Sequence, residues 1–346
     1  MKCPPWRLIG TARSIPPVTS SRGRIVAGRI FRVDEFGVIA ALVVLVLVIG
    51  AFQPAFLHMA QLIDVVEQAA FVGILACGMT YLLAMRELDL SVGSVYALAI
   101  IGAATLIQSG VDPWLGAVAG VALGCFLGVV NGIICEAIKI PSIITTLGTL
   151  SLYRGLALAI SDGKNVADLP RTHSFFRIVG GDVLGVPVPV WVLLATALVL
   201  TIVLRGTRFG TTVRSIGSNP EAARFSGISL PRTRIQVLAL SGALAGLSGM
   251  LTLAFFASGD PTIGSGYELQ AIAAAIIGGT PLRGGSGTVW GSVLGAVILG
   301  TVASGLVYFG VPINWNLFAT GVVILLAVAL DSLLRRRRAA TTDFLL

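Results

Sequence analysis

The chain has 346 residues, 55% of them hydrophobic and only 12% charged, with 42 glycines, whereas a soluble domain carries about a quarter charged residues. This deficit, with repeated apolar runs of roughly 20 residues, reads as an all-α integral membrane protein. The net charge of +8 does not point to nucleic acid as a partner, because the arginines fall at the ends of the apolar runs, where topology demands them.

Residues 1–35 are basic and carry Pro4-Pro5 and Pro16-Pro17. They are too long and polar to be a cleavable signal peptide and are expected to form a disordered cytoplasmic arm. The first apolar run covers 36–51, and a short loop holds Gln53, Pro54, His58 and Asp64. A second span is expected over 65–85, ending in Arg86-Glu87-Leu88-Asp89, and a third from Leu90 to about Gly110. Asp112-Pro113-Trp114 marks a turn with an interfacial tryptophan. The fourth span runs over 115–138 to the breaker Lys139-Ile140-Pro141, and the fifth over 142–160. After a longer loop, 161–187, comes a sixth span over 188–204. The seventh is expected over 235–256, a short eighth over 268–279, a ninth over 288–309 and a tenth over 315–334, before the tail 335–346.

Between the sixth and seventh spans lies a polar island, 205–234, with six arginines against the single carboxylate Glu221. Asn219-Pro220-Glu221-Ala222-Ala223-Arg224 reads as a cap, a first-turn proline and a short helix ended near Gly227. Such a helix at a membrane surface is either a docking surface or a solvated helix held near lipid by its arginines. Ten crossings with both termini cytoplasmic place 20 of the 24 Lys and Arg inside, the bias that the positive-inside rule describes. The eighth segment is short enough to be re-entrant or broken instead. Gly116, Gly120, Gly124 and Gly128 recur every four residues in span four, and Gly242, Ala245 and Gly249 share one stripe of span seven. This spacing lets helix backbones pack closely.

Much chemistry is missing. No P-loop and no H-E-x-x-H occurs, and the Gly-rich stretch 278–287 lacks the lysine of a phosphate loop. His58 and His173 lack metal-ligand spacing, as do Cys3, Cys77, Cys125 and Cys135. No cofactor or metal is expected, and no enzyme activity. An ion-coupled secondary transporter would carry ionisable residues inside its spans. Here the middles of the expected spans are nearly free of charge, which favours a passive gate powered by another chain.

Four segments carry a family resemblance: Gly78-Met79-Thr80 through Asp89-Leu90-Ser91-Val92-Gly93-Ser94; Asn131-Gly132 with Ile140-Pro141-Ser142 through Gly148; Thr207-Arg208-Phe209-Gly210 through Ile228; and Tyr267-Glu268-Leu269 through Thr288. In this order, over about 60–335, they resemble the permease subunits of bacterial ATP-binding-cassette importers for monosaccharides of the ribose, xylose and rhamnose type. The resemblance implies an inner-membrane location, a second permease chain, an ATP-binding-cassette ATPase subunit and an extracytoplasmic solute-binding protein as partners, besides membrane lipid. It identifies Glu221, Ala222, Ala223, Arg224 and Gly227 with the loop that touches the ATPase. Asp89, Ser91, Asn131 and Glu268 are expected along or beside the translocation path, although Asp89 equally suits a cap of span three. Many such permeases have Gly-Gly-Ile where this chain has Arg86-Glu87-Leu88, a pair closer to the rhamnose or autoinducer-2 branches. Permeases for nucleosides and branched-chain amino acids share the general build and are the alternatives within the class.

Overall fold

The computed structural model describes residues 33–312 together with Trp315, Phe318, Ala319, Gly321, Val322 and Leu325. Residues 1–32 of the expected arm 1–35, most of the tenth span and the tail lie outside the described residues, as does Cys3, whereas the last three residues of that expected arm begin the first helix. The described chain is a bundle of helices: α1 (Val33–Phe52), α2 (Met59–Ala84), α3 (Val92–Gln108), α4 (Pro113–Ile138), α5 (Ser142–Ile160), α6 (Ser174–Val179), α7 (Val188–Gly206), α8 (Arg208–Ser218), α9 (Pro220–Phe225), α10 (Leu230–Phe256), α11 (Tyr267–Ile277) and α12 (Val289–Tyr308). A 3-10 turn, Pro54–Leu57, joins α1 to α2. A two-residue hairpin, β1 (Asp182–Val183) with β2 (Val186–Pro187), precedes α7. Six of the helices, α2, α4, α5, α7, α10 and α12, are long and apolar enough to cross a membrane.

Helix lengths explain the departures from the expected spans. α2 starts at Met59, so Asp64 belongs to a helix rather than to a loop. Its added first turn is tied to α12, where Tyr308 donates to Gln61 Oε1 at 2.6 Å and Gln61 donates to Ser304. The loop 161–187 holds α6 and the hairpin, which short local sequence signals do not reveal. The basic island folds into two helices, α8 and α9, and its last residues extend α10 back to Leu230. With 17 and 11 residues, α3 and α11 rise about 25 and 16 Å, against a hydrocarbon thickness of about 30 Å.

α2, α3, α10 and α11 form the centre, where Ile74, Met79, Tyr81, Tyr96, Ile100 and Leu253 are fully buried. The rim helices α5 and α7 keep Ile143, Ile144, Leu147, Leu152, Leu198 and Ile202 exposed, the side-chain chemistry of a lipid- or protein-facing wall. The most extensive packing joins α4 to α10. A Cβ on Gly124 or Gly128 would collide with the carbonyl oxygens of Gly242 or Leu238, and one on Gly242 would collide with Gly124. The repeated small residues thus put two backbones in direct contact, where van der Waals packing replaces the missing hydrophobic force. Gly148, on the exposed side of α5, has nothing near its Cβ position.

Overpacking a tight contact costs about 1–3 kcal/mol, and backbone atoms yield less than side chains. Gly124→Val should therefore lower the thermal unfolding midpoint of the detergent-solubilised chain markedly, and Gly148→Val should not. Equal midpoints for the two variants would refute this account of the α4–α10 contact.

Candidate functional site

Two regions combine polar side chains with unusual backbone. The first is the linker 85–91, which leaves the end of α2 beside the island and returns into the bundle. Its direction follows from its contacts. Ala84 lies against Gly217 of α8, whereas Asp89 accepts a 3.0 Å hydrogen bond from Ser241. Ser241 lies about 16 Å along α10 from Leu230 at 1.5 Å per residue, so α3 begins near mid-bundle.

Non-helical backbone in a membrane interior needs protein partners, and this linker has them. Arg86 N–H and Glu87 N–H donate to Leu83 and Leu82 carbonyls. Leu88 N–H and Leu90 N–H donate to Ser142 Oγ and Thr146 Oγ1 on the first turns of α5. Asp89 Oδ1 accepts from Ser91 N–H at 2.9 Å and from Ser91 Oγ at 2.6 Å. Asn131 then donates to Ser91 Oγ at 2.8 Å, and Tyr153 donates to Asn131 Oδ1 at 3.0 Å. Ser241, Asp89, Ser91, Asn131 and Tyr153 are all buried, and their chain of bonds joins α10, the linker, α4 and α5. The N-cap position of α3 is Ser91, and Asp89 closes a turn two residues ahead of that cap.

Glu268 stands apart from that chain. α11 also starts inside the bundle, after a loop that Arg154 holds by donating to Pro261 and Ile263 carbonyls at 2.8 Å and to the Gly93 carbonyl at 3.2 Å. A Cβ on Gly93 would strike the Gly264 carbonyl and crowd the Glu268 carboxylate. The first turns of α3 and α11 therefore abut, one helix running away from the island and the other towards it. Toward the island end, Arg234 bridges Glu87 at 2.7 Å and Glu136 at 2.5 Å, and Ser142 Oγ donates to Glu87 Oε2 at 2.5 Å. Glu87 is thus the linker's anchor to α4, α5 and α10.

The second region is the island. Thr207 caps α8 by accepting from Gly210 N–H at 3.2 Å. Asn219 ends α8 and caps α9, accepting from Ala222 N–H at 3.0 Å. Pro220 suits the first helical position, and Glu221 and Arg224 lie at the dipole ends that favour their charges. Gly227, at φ +80°, lets Ile228 N–H reach the Ala223 carbonyl and so closes the helix. Ala223 is buried and anchors α9, while Glu221, Ala222, Arg224 and Gly227 are exposed and Phe225 is 92% exposed. A groove of about 620 Å³ lies between α8 and α9, lined by Thr211, Arg214, Ser218, Ala222 and Ser226 among others. Arg86 donates to the Ser218 carbonyl at 2.9 Å and Gly285 N–H donates to the Ala84 carbonyl at 2.8 Å. The island is therefore braced against the residues where α2 turns into the linker.

Comparison with known proteins fits this geometry. Residues 61–328 match the family of permease components of branched-chain amino acid transport systems. The chain belongs to this family. It is similar to the ribose import permease protein of Bacillus subtilis, 36% identical over 298 residues that cover 86% of this chain and 92% of the relative. The ribose import permease protein of Escherichia coli is 37% identical over 294 residues, covering 84% and 92%. The L-arabinose transport system permease protein of Escherichia coli is 36% identical over 304 residues, covering 88% and 92%. No solved structure matches the chain. The permease is a multi-pass inner-membrane subunit of an ATP-binding-cassette importer, a transport component rather than an enzyme, and works with an ATPase and a binding protein.

The structure brings Asp89, Ser91 and Asn131 into one bonded cluster and sets Glu268 beside Gly93. Sequence reasoning missed Tyr153, Ser241 and the partner set of Arg234. Tyr153 and Ser241 sit in ordinary apolar runs with no local signal, and Arg234 was one arginine among six.

Breaking a buried ion pair from one side costs about 3–5 kcal/mol, and the 12–25% side-chain exposure of these groups places Arg234→Met near the lower figure. Thermal unfolding of the purified chain should show that loss, and adding Glu87→Gln should recover part of it. No recovery in the double variant would mean that the uncompensated carboxylate is not the cause.

Proposed function

We propose that the permease forms half of a monosaccharide pathway, with a second permease chain completing it. It spans the membrane ten times with both termini cytoplasmic, and the island 205–234 faces the cytoplasm. The positive-inside bias of 20 to 4 supports that orientation. The relatives that align along most of the chain are named for ribose, L-arabinose and D-allose, which favours a sugar over the amino acids of the family's name.

One observation carries the mechanism: α9 is capped at both ends, anchored through buried Ala223 and set on α8, which touches the α2–linker junction. A rigid helix so mounted is a lever. ATPase closure pushing on Glu221, Ala222, Arg224 and Gly227 would move α8, then Arg86 and the linker 85–91. That linker holds Asp89 and Ser91, which with Asn131 and Glu268 form the mid-bundle layer beside the path. Movement there would tilt the abutting starts of α3 and α11 and switch the pathway between outward and inward openings.

In native membranes the tagged chain should co-purify with a P-loop ATPase, and the Glu221→Ala/Arg224→Ala double variant should lose both the ATPase and uptake while remaining inserted. An ATPase retained by that variant would remove α9 as the coupling element. Separately, Asp89→Ala and Asn131→Ala should each reduce sugar uptake in cells at matched membrane levels; wild-type uptake would take both residues off the transport layer.

A further inference from the structure

At the end of the bundle away from the island, the first half of α2, the last turn of α10, α11 and α12 enclose a cavity of about 530 Å³. That lies within the roughly 300–1,000 Å³ usual for small-molecule sites. Its walls are fixed before any solute arrives. Tyr96 and Thr252 share a 2.5 Å hydroxyl contact between α3 and α10. Tyr96 packs on Tyr267 at 5.4 Å between ring centroids, and Phe71 on Phe255 at 6.1 Å.

Glu67 lines this cavity and retains only 9% exposure, yet its Oε1 has no hydrogen-bond partner. Buried polar atoms are nearly always paired, and an ionisable side chain within a membrane span that lacks a partner marks a functional site by default. Two further buried atoms are unpaired among the described residues, Thr105 Oγ1 and Thr145 Oγ1, but neither residue lines this cavity. Gln68 and Gln270 add amide donors and acceptors to the lining, and Phe71, Phe255 and Tyr267 add aromatic surface.

The charge pattern narrows the ligand. Two carboxylates, Asp64 and Glu67, line the cavity and no Lys, Arg or His does, so an anion such as a phosphate or the carboxylate of an amino acid would be repelled rather than paired there. A neutral polyol suits it better. Its hydroxyls donate to a carboxylate oxygen, its oxygens accept from amide N–H groups, and its C–H faces lie against aromatic rings.

We propose that this cavity is the station at which the permease holds a neutral, hydroxyl-rich solute of monosaccharide size, with the Glu67 carboxylate accepting hydrogen bonds from solute hydroxyls and Gln68 and Gln270 completing the polar wall. The assignment rests on the importer reading and adds a site and a solute chemistry to it. It places the solute in the half of the bundle away from the ATPase-coupling island, with the Asp89 layer between the two.

The test uses the whole importer, permease with its ATPase and binding protein, reconstituted in liposomes with radiolabelled D-ribose, L-arabinose and D-allose. The wild type should take up at least one of them with ATP. Wild-type liposomes that take up none would remove the importer-of-sugar reading and this site with it. Given wild-type uptake, Glu67→Gln should lower it about tenfold or more, the loss of a charge-assisted hydrogen bond, in complexes that still assemble with the ATPase. Wild-type uptake by assembled Glu67→Gln complexes would overturn the site and leave the importer reading standing. If Glu67→Gln fails to assemble, Gln68→Ala, at an exposed rim position, carries the same test: reduced uptake supports the site and undiminished uptake overturns it.

Discussion

Backbone that is not helical cannot lie unpaired inside a membrane, and the linker 85–91 makes most of this architecture answer to that constraint. Its N–H groups are met by α2 carbonyls, by Ser142 and Thr146 of α5, and by Asp89 itself. Each partner sits where it does because another element holds it. Ser241 positions the Asp89 carboxylate from α10, Asn131 and Tyr153 position Ser91 from α4 and α5, and Arg234 positions Glu87. Four long helices are thereby tied to one short irregular segment.

That tie gives the bundle two shortened helices, α3 and α11, whose first turns meet in its interior. α3 and α11 need small residues at the meeting point, and Gly93 and Gly264 supply them. Arg154 gathers the carbonyls of the loop before α11, as a lipid-exposed loop could not manage for itself. Such a junction is stable as a whole but is made of many small contacts, each shifted by a modest rotation of α10 or α5. It is a natural place for a pathway to change its opening.

The proposed coupling helix and the proposed solute cavity lie at separate ends of the bundle. The island presents a capped helix and a groove on one end of the bundle, and the cavity around Glu67 lies at the other. Between them stands the buried Asp89 layer, with no exposed polar side chain in its hydrogen-bonded chain. On the proposed reading, force would enter at one end and solute at the other, and the two sites share no residues.

The sequence by itself determined what depends on local chemistry. Apolar run length set the long helices, glycine spacing set the α4–α10 contact, and Asn219, Pro220 and Gly227 set the caps of α9. The four motif segments were enough to name the transporter class. Only the tertiary structure decided which distant polar groups meet. Nothing local marks Ser241 as the partner of Asp89, since the two are 152 positions apart, or Arg234 as the shared partner of Glu87 and Glu136. The shortness of the segment that forms α11 shows in the sequence, but the interior starts of α3 and α11 do not, because helix periodicity does not say at what depth a helix begins. Glu67 carries no local signal in the sequence, and its unpaired oxygen is meaningful only because α10, α11 and α12 close around it. Periodicity and capping act within a few residues, whereas polar satisfaction is settled by whatever the packed chain brings within hydrogen-bond reach.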